Sequence, residues 1–330
     1  MTESLNFNFT HFNKDEKLVF QYFLNNLNIE LFDIKNCSQL EKYAYYLFNA
    51  ALNKKKYYVN LGKIYFEVRN YERSFHWFNI AAENNDSYAF YRMGSIYQKG
   101  LSNDNFTLIP DDNKAYEYIL KAAQNGLVSA QCRLGCYFEQ GIGVPQNNEI
   151  ALKWYKKAAM KNNSYAICAI ANFYELGLAG LKKNYEEAKR MYTVAEANNY
   201  GWAKYKLGNL HEYGLGVPIN LEVALQKYQE AKELECRMAT YHIGTWYENG
   251  IYFEKDFNAA MKLYIESVKD LSTHSIFRMN DNSHHACYHI GEIYEKGENV
   301  ERNIEVAKEW YTYAAYHGST AAKNKLATII

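Results

Sequence analysis

A small residue recurs seven times along this 330-residue chain, each time inside a segment with the apolar spacing of an amphipathic helix. Successive copies lie 32, 41, 36, 37, 36 and 47 residues apart. A unit of this length cannot bury its own apolar face, whereas stacked units can. The spacing therefore predicts a repeat array. The register residues are Gly62, Gly94, Gly135, Ala171, Gly208, Gly244 and Gly291.

Each register residue is followed by a second helical pattern with small, large and small residues at i, i+4 and i+7. In the third unit these are Ala151, Tyr155 and Ala158. Alternating sizes let neighbouring helices approach closely and interdigitate, so we expect this row in the core. The large members are Phe78, Ile119, Tyr155, Tyr192, Tyr228, Tyr264 and Tyr311.

Residues 130–159, 203–232 and 286–315 carry the repeat in its fullest form; the first reads AQCRLGCYFEQGIGVPQNNEIALKWYKKAA. This pattern resembles the Sel-one-like repeat (SLR) family, which is related to tetratricopeptide (TPR) repeats, over roughly residues 57–330. The resemblance implies an all-α fold, an α/α superhelical solenoid of about seven antiparallel two-helix repeats with capping helices at both ends. It also implies an adaptor rather than an enzyme, without a cofactor.

The ends of such an array need caps, because a bare terminal repeat exposes an apolar face. We expect an N-terminal helical cap over 1–56, the repeat array over 57–318 and a C-terminal capping helix over 319–330. A solenoid core grows with the number of repeats, so one continuous domain is predicted.

The charge balance argues against dedicated nucleic-acid binding, because 37 basic and 37 acidic residues give a net charge of zero. The N-terminal residues have no basic segment followed by an apolar one, and no run of 18 apolar residues occurs. We therefore expect a soluble, cytoplasmic protein without a membrane span; export by a route without such a signal stays open. Abundant Asn, Lys, Tyr and Ile indicate a bacterial source.

Positions −3, +1 and +4 from each register residue share one helix face. The resemblance places first helices on the concave side of a solenoid, which predicts a groove with aromatic ends, small residues in the middle and five glutamates at position +4. Such a groove suits a protein or peptide with Lys or Arg anchors; the alternative is a solvated surface. Its candidate residues are Tyr91, Cys132, Cys136, Glu139, Cys168, Asn172, Glu175, Tyr205, Asn209, Glu212, Tyr241, Glu248, Tyr288, Glu292 and Glu295.

The residues at +3 lie on the opposite side of the first helix and are expected in the core. They are Tyr65, Tyr97, Phe138, Tyr174, His211, Tyr247 and Tyr294.

Two stretches, 101–110 and 270–285, interrupt the repeat. Loops on a rigid scaffold often carry function, so both are candidate contact loops; tolerated insertions are the alternative. The proposed contact residues are Phe106, Leu108, Ile109, Phe277 and Arg278.

Cys132, Cys136 and Cys168 occupy related places on neighbouring first helices and could form a zinc or hydrolase site. The residues that could complete a zinc site are Glu139, Asn172 or Glu175. The paired cysteine spacing of structural zinc motifs is absent, so small groove residues are the preferred interpretation and no metal site is predicted. The turns after Gly141 and Gly214 follow helices rather than strands; we expect left-handed helix ends there, not phosphate loops.

The leading hypothesis is a scaffold or adaptor that binds one partner along the groove. It would act as a regulator or as a toxin-neutralising (immunity) protein in a bacterial secretion or competition system. The alternatives are a host-directed virulence effector and the hydrolase or metal-binding protein described above. The sequence leaves the partner and the oligomeric state open.

Overall fold

The computed structural model describes residues 10–18, 39–103, 106–269, 283–297 and 299–329. Each repeat in these ranges is a pair of helices, and the fold is the all-α solenoid that the sequence predicts. The chain divides into two compact units, one ending at Ala158 and one beginning at Ala159. A single continuous domain therefore stays a prediction.

The first unit begins with a helical segment at 14–18. A helix at Gln39–Ala51 and a 3-10 turn at Lys55–Tyr57 precede the first repeat. Three repeats follow, with first and second helices at Tyr58–Glu67 and Tyr71–Glu83, Ser87–Lys99 and Asp112–Gln124, and Val128–Gln140 and Asn148–Ala159.

The second unit contains four repeats and a terminal helix. The helix pairs are Ser164–Leu176 and Tyr185–Ala197, Gly201–Tyr213 and Leu221–Glu233, Arg237–Asn249 and Phe257–Ser267, and Ser283–Lys296 and Ile304–Tyr316. The terminal helix, Thr320–Thr328, lies within the predicted C-terminal cap.

Register residues are small because the second helix passes directly over them. A Cβ atom built on Gly94 would lie 2.6 Å from Ile119 Cγ1, and one on Gly208 would lie 2.4 Å from Tyr228 Cε1. Both facing side chains are fully buried, as are their equivalents in the other repeats. The alternation of small and large residues is therefore the packing contact within each repeat, as predicted.

Helix ends follow from local chemistry. Second helices begin after an Asn or Asp whose side chain accepts a hydrogen bond from a backbone N–H three residues later, which satisfies an unpaired helix donor. Asn184 and Asp256 do this at 3.0 and 2.9 Å. First helices end at left-handed glycines such as Gly141 (φ 73°) and Gly214 (φ 66°), as expected from the turns.

The 101–110 stretch differs from the predicted loop. Strands Leu101–Asn103 and Phe106–Leu108 pair antiparallel, with Leu101 opposite Leu108. Leu101 is buried, and the Phe106 ring lies 5.8 Å from that of Phe75 in the first repeat. The insertion is therefore a hairpin attached to the array.

The +3 row lies mostly at the edge of the core, so the expectation that it is core holds fully only for Tyr65. Tyr65 is buried, whereas its equivalents, such as Tyr97 and Tyr247, are half-buried. They stack on neighbouring rings, Tyr97 on Tyr118 and Tyr247 on Phe253. The fully buried large residue of the first helix lies one position earlier, as at Phe173 and Trp246.

Candidate partner-binding face

The five glutamates at +4 each accept a hydrogen bond from the second-helix tyrosine of the same repeat. The tyrosine ring packs over the register residue, and the glutamate lies one helical turn further on, so the phenol oxygen reaches the carboxylate. The oxygen–oxygen distances are 2.5 Å for Tyr155–Glu139, 2.8 Å for Tyr192–Glu175, 2.5 Å for Tyr228–Glu212, 2.6 Å for Tyr264–Glu248 and 2.6 Å for Tyr311–Glu295.

These contacts keep the hydroxyls protonated. Burial, followed by the bonded carboxylate, raises the pKa of Tyr228 and Tyr264 far above the ordinary tyrosine value. Burial and Glu175 do the same to the pKa of Tyr192. Each tyrosine therefore acts as a permanent hydrogen-bond donor that fixes its glutamate on the first-helix face, defined as positions −3, +1 and +4.

In the second unit a basic side chain from the next first helix completes each contact. It lies two positions before the next register residue, or at the equivalent place in the terminal helix. We call this set of glutamate, tyrosine and basic residue a rung. The basic atoms lie 2.9 Å (Lys206–Glu175), 2.6 Å (His242–Glu212), 3.0 Å (His289–Glu248) and 2.9 Å (Lys325–Glu295) from a carboxylate oxygen.

The two rungs that contain histidine favour the ionised carboxylate. Burial alone would raise the pKa of Glu212, but hydrogen bonds from His242, Tyr228 and Trp246 outweigh it and lower the pKa. The bond from His289 is the main cause of the lowered pKa of Glu248. These four glutamates are consequently not a row of uncompensated charges.

Equivalent positions in the first unit carry different chemistry. The Arg92 guanidinium lies 4.6 Å from the centre of the Phe66 ring, and Arg133 Nη1 donates to Gln98 Oε1 at 3.0 Å. Glu139 accepts the Tyr155 hydroxyl, and no basic side chain contacts it within the described ranges. Burial raises the pKa of Glu139, only partly opposed by the Tyr155 bond.

The sequence analysis did not identify the basic position two residues before the register residue, although the sequence contains a signal for it. Residues two before the register residue are basic in five of the seven repeats: Arg92, Arg133, Lys206, His242 and His289. Reading the acidic row together with this row would have indicated paired charges.

Tyrosines at −3 separate into accessible and buried positions. Tyr241 and Tyr288 are half-buried, and each ring lies 5.3 Å from its second-helix tyrosine ring. Tyr91 is also half-buried, with the Arg133 guanidinium 5.3 Å from its ring centre. Tyr205 is only 6% exposed, because Trp202 packs against it, so it offers a partner little surface.

The three groove cysteines are also buried rather than presented to a partner. Cys132, Cys136 and Cys168 are 0, 6 and 2% exposed. Burial is the main cause of the raised pKa of Cys132 and Cys168, so both thiols stay protonated. Across the described part of the chain, no group of three His, Cys, Asp or Glu side chains could hold a metal ion.

Polar residues at +1 join the same face. Asn209 accepts the Tyr228 hydroxyl at 2.8 Å in addition to the Glu212 bond. Glu292 Oε2 lies 4.0 Å from His289 Nδ1, and Asn172 is half-buried. The predicted sharing of a face by +1 and +4 is thus visible in repeat five.

The structure describes the contact residues of the first candidate loop but not those of the second. Ile109 is 77% exposed beside the hairpin, whereas Phe106 and Leu108 are half-buried. Phe277 and Arg278 lie outside the described residues. No helix in the described part of the chain has the length and apolarity needed to cross a membrane.

The Sel1 repeat family matches the helix pairs seven times. The matched residues are 57–86, 87–127, 128–163, 164–200, 203–235, 237–269 and 284–319. These matches together cover well over half of the chain.

Curated relatives are much longer proteins. The chitin synthase regulator SKT5 of Saccharomyces cerevisiae is 34% identical over 122 residues, which are 37% of this chain and 17% of that protein. A putative ERAD-associated E3 ubiquitin-protein ligase component of Schizosaccharomyces pombe is 37% identical over 87 residues, 26% of this chain and 12% of that protein. The chain thus spans less than a fifth of these relatives.

A solved structure supports the fold. The Sel1 repeat protein from Oxalobacter formigenes aligns with a TM-score of 0.58 and 24% identity, over 78% of this chain and 99% of that one. At this identity the likeness concerns the fold alone.

Proposed function

The chain belongs to the Sel1 repeat family, and on that premise we propose that it is a scaffold that binds a protein partner through the first-helix face. Sel1 repeat proteins act as protein-interaction scaffolds, and the family is generally non-enzymatic. That binding occurs on this face, and that it involves one partner, is our proposal.

The observation that carries it is the fixed arrangement of tyrosines and carboxylates on this face. The Tyr241 and Tyr288 rings rest on buried second-helix rings, and Glu248 and Glu295 are held by hydroxyl donors. Groups already held in place lose little conformational entropy when a partner binds. Half-exposed tyrosines are common at the energetically important positions of interfaces.

The proposed role is regulatory. One curated relative is named as a regulator of chitin synthase and another as a component of a ubiquitin ligase, so both names describe proteins that work with others. We propose that this chain similarly recruits or regulates a partner. The immunity and virulence-effector hypotheses stay predictions, and both would use the same face.

Cysteine-based hydrolysis or metal binding is not proposed. The thiolate is the nucleophile and the metal ligand in such sites, and it forms readily only where the pKa is low. Burial instead raises the pKa of Cys132 and Cys168.

Site-specific photo-crosslinking in the organism of origin tests the proposal. A benzoylphenylalanine would replace Tyr241 or Tyr288, with matched controls at the exposed second-helix residues Tyr313 and Tyr316. We expect one partner protein to form adducts from positions 241 and 288 and not from the controls. Adducts from the control positions alone, or none from the face, would refute the assignment.

A further inference from the structure

We infer that Glu139 is the anchor point for a cationic side chain, a lysine or an arginine, that the protein partner supplies. This inference rests on the proposed function and narrows it to one carboxylate. The five glutamates at +4 share one geometry, yet four have a basic neighbour from this chain.

The two lysine rungs show what such a carboxylate accepts, whereas in the two histidine rungs the hydroxyl and the histidine share one oxygen. Glu175 receives Tyr192 on Oε2 and Lys206 on Oε1, at 2.8 and 2.9 Å. Glu295 likewise receives Tyr311 on Oε2, while Lys325 contacts Oε1 at 2.9 Å. A hydroxyl on one oxygen and a nitrogen cation on the other is therefore an arrangement that this fold already builds.

Glu139 has only the first half of this arrangement. Oε2 accepts the Tyr155 hydroxyl at 2.5 Å, and the same hydroxyl lies 3.3 Å from Cys136 Sγ. Within the described ranges, Oε1 has no hydrogen-bond or ion-pair partner. A phenol and a thiol are neutral, so neither balances the carboxylate charge.

The sequence at the corresponding register position also differs. The position that supplies Lys206, His242 and His289 in later repeats is Ala169 in the fourth repeat. An alanine carries no charge, so the fourth repeat has no basic side chain at this register position.

The chemistry favours a single organic cation. One unoccupied carboxylate oxygen matches an ammonium or guanidinium N–H, and the attraction is stronger at a half-buried carboxylate than in bulk water. A metal ion would need several ligands together. The four completed rungs already hold a basic group, so they compete poorly for another.

The test uses a defined probe on the full chain. Glutamates would be labelled with ¹³C in the side-chain carboxyl, and the five signals followed while N-acetylarginine amide is added at neutral pH. N-acetylcitrulline amide, which has the same shape without the charge, is the matched ligand control. We expect the arginine compound alone to shift the Glu139 signal saturably, with little change at Glu175, Glu212, Glu248 and Glu295.

Two variants separate this result from non-specific attraction. Glu139→Gln should abolish the saturable shift, whereas Glu175→Gln, at the equivalent position, should leave the Glu139 response intact. An equal response of all five glutamates, or an equal response to the citrulline compound, would overturn the inference. So would the absence of any Glu139 shift.

Once crosslinking has identified the partner, Glu139→Gln should weaken its binding by about tenfold or more, as loss of a hydrogen-bonded charge pair does. Glu175→Gln should change it less. If crosslinks form from positions 241 and 288 but the Glu139→Gln variant binds the partner as tightly as the parent, the anchor is refuted. The proposed scaffold function is then still supported. Failure of the crosslinks would instead refute the function.

Discussion

The position four residues after the register residue differs between the two units. Up to Ala158 it carries Phe66, Gln98 and Glu139, whereas from Ala159 onward it is glutamate in every repeat. Arginines of the first unit contact the neutral Phe66 and Gln98. In the second unit, lysines and histidines contact carboxylates.

This difference shows that one packing geometry supports two kinds of electrostatics. The tyrosine–glutamate contact follows from helix spacing and appears in both units. In the second unit, a single basic residue two positions before the next register residue, or at the equivalent place in the terminal helix, contacts each carboxylate. The row of +4 glutamates in the sequence therefore overstates the negative charge that is available to a partner. Glu139 is the exception, because no basic side chain in the described ranges contacts it.

The largest expected effect on stability comes from truncating the buried second-helix residue that packs over the register position, a contact that both units share. Ile119→Ala in the first unit and Tyr228→Ala in the second should each lower the free energy of unfolding by about 2–5 kcal/mol, because both empty a fully buried site. Urea denaturation measures this. Tyr313→Ala, at an exposed second-helix position, is the control and should stay within about 0.5 kcal/mol of the parent. A loss confined to one unit would show that the packing is not equivalent.

A smaller effect should distinguish the two units, because the same Glu→Gln substitution is expected to destabilise the second unit but not the first. Glu212→Gln should lower the free energy of unfolding at pH 7 by about 1–3 kcal/mol, because His242 and Trp246 lose a charged acceptor. Glu139→Gln should leave it unchanged or raise it by up to about 1 kcal/mol, because a poorly balanced carboxylate is removed. Equal losses from both substitutions would contradict the comparison.

The pH dependence follows from the direction of each shift. The folded-state pKa of Glu212 is lowered, so its stabilisation is present above the unfolded-state value of about 4.3 and is lost as the pH falls through the folded pKa. The deficit of Glu212→Gln should therefore vanish in acid. The folded-state pKa of Glu139 is raised, so the gain from Glu139→Gln should be absent below the unfolded-state value of about 4.3, grow as the pH rises, and be complete above the folded pKa.

Much of the fold was predictable because the same packing pattern occurs seven times in the sequence. The register residues, the second-helix row and the left-handed turn at Gly141 all follow from steric rules within one repeat. The antiparallel strands at 101–108 were missed because an insertion that occurs once has no equivalent to compare with.

The candidate face was predictable only in part. Sharing of a face by +1 and +4 follows from helical periodicity, but pairing of Glu175 with Lys206 depends on how successive first helices are rotated, which a single repeat does not reveal. The burial of Tyr205 similarly comes from Trp202, whereas Tyr241 has Met238 at the equivalent place.

Titration of the five glutamates, followed through their side-chain carboxyl ¹³C signals between pH 2 and 8, tests the central claim most directly. Glu139 should titrate above the ordinary glutamate value, because burial is not offset by a basic neighbour. Glu212, Glu248 and Glu295 should titrate below it, because their rungs favour the charged form. A Glu139 midpoint at or below those of the other three would contradict the account.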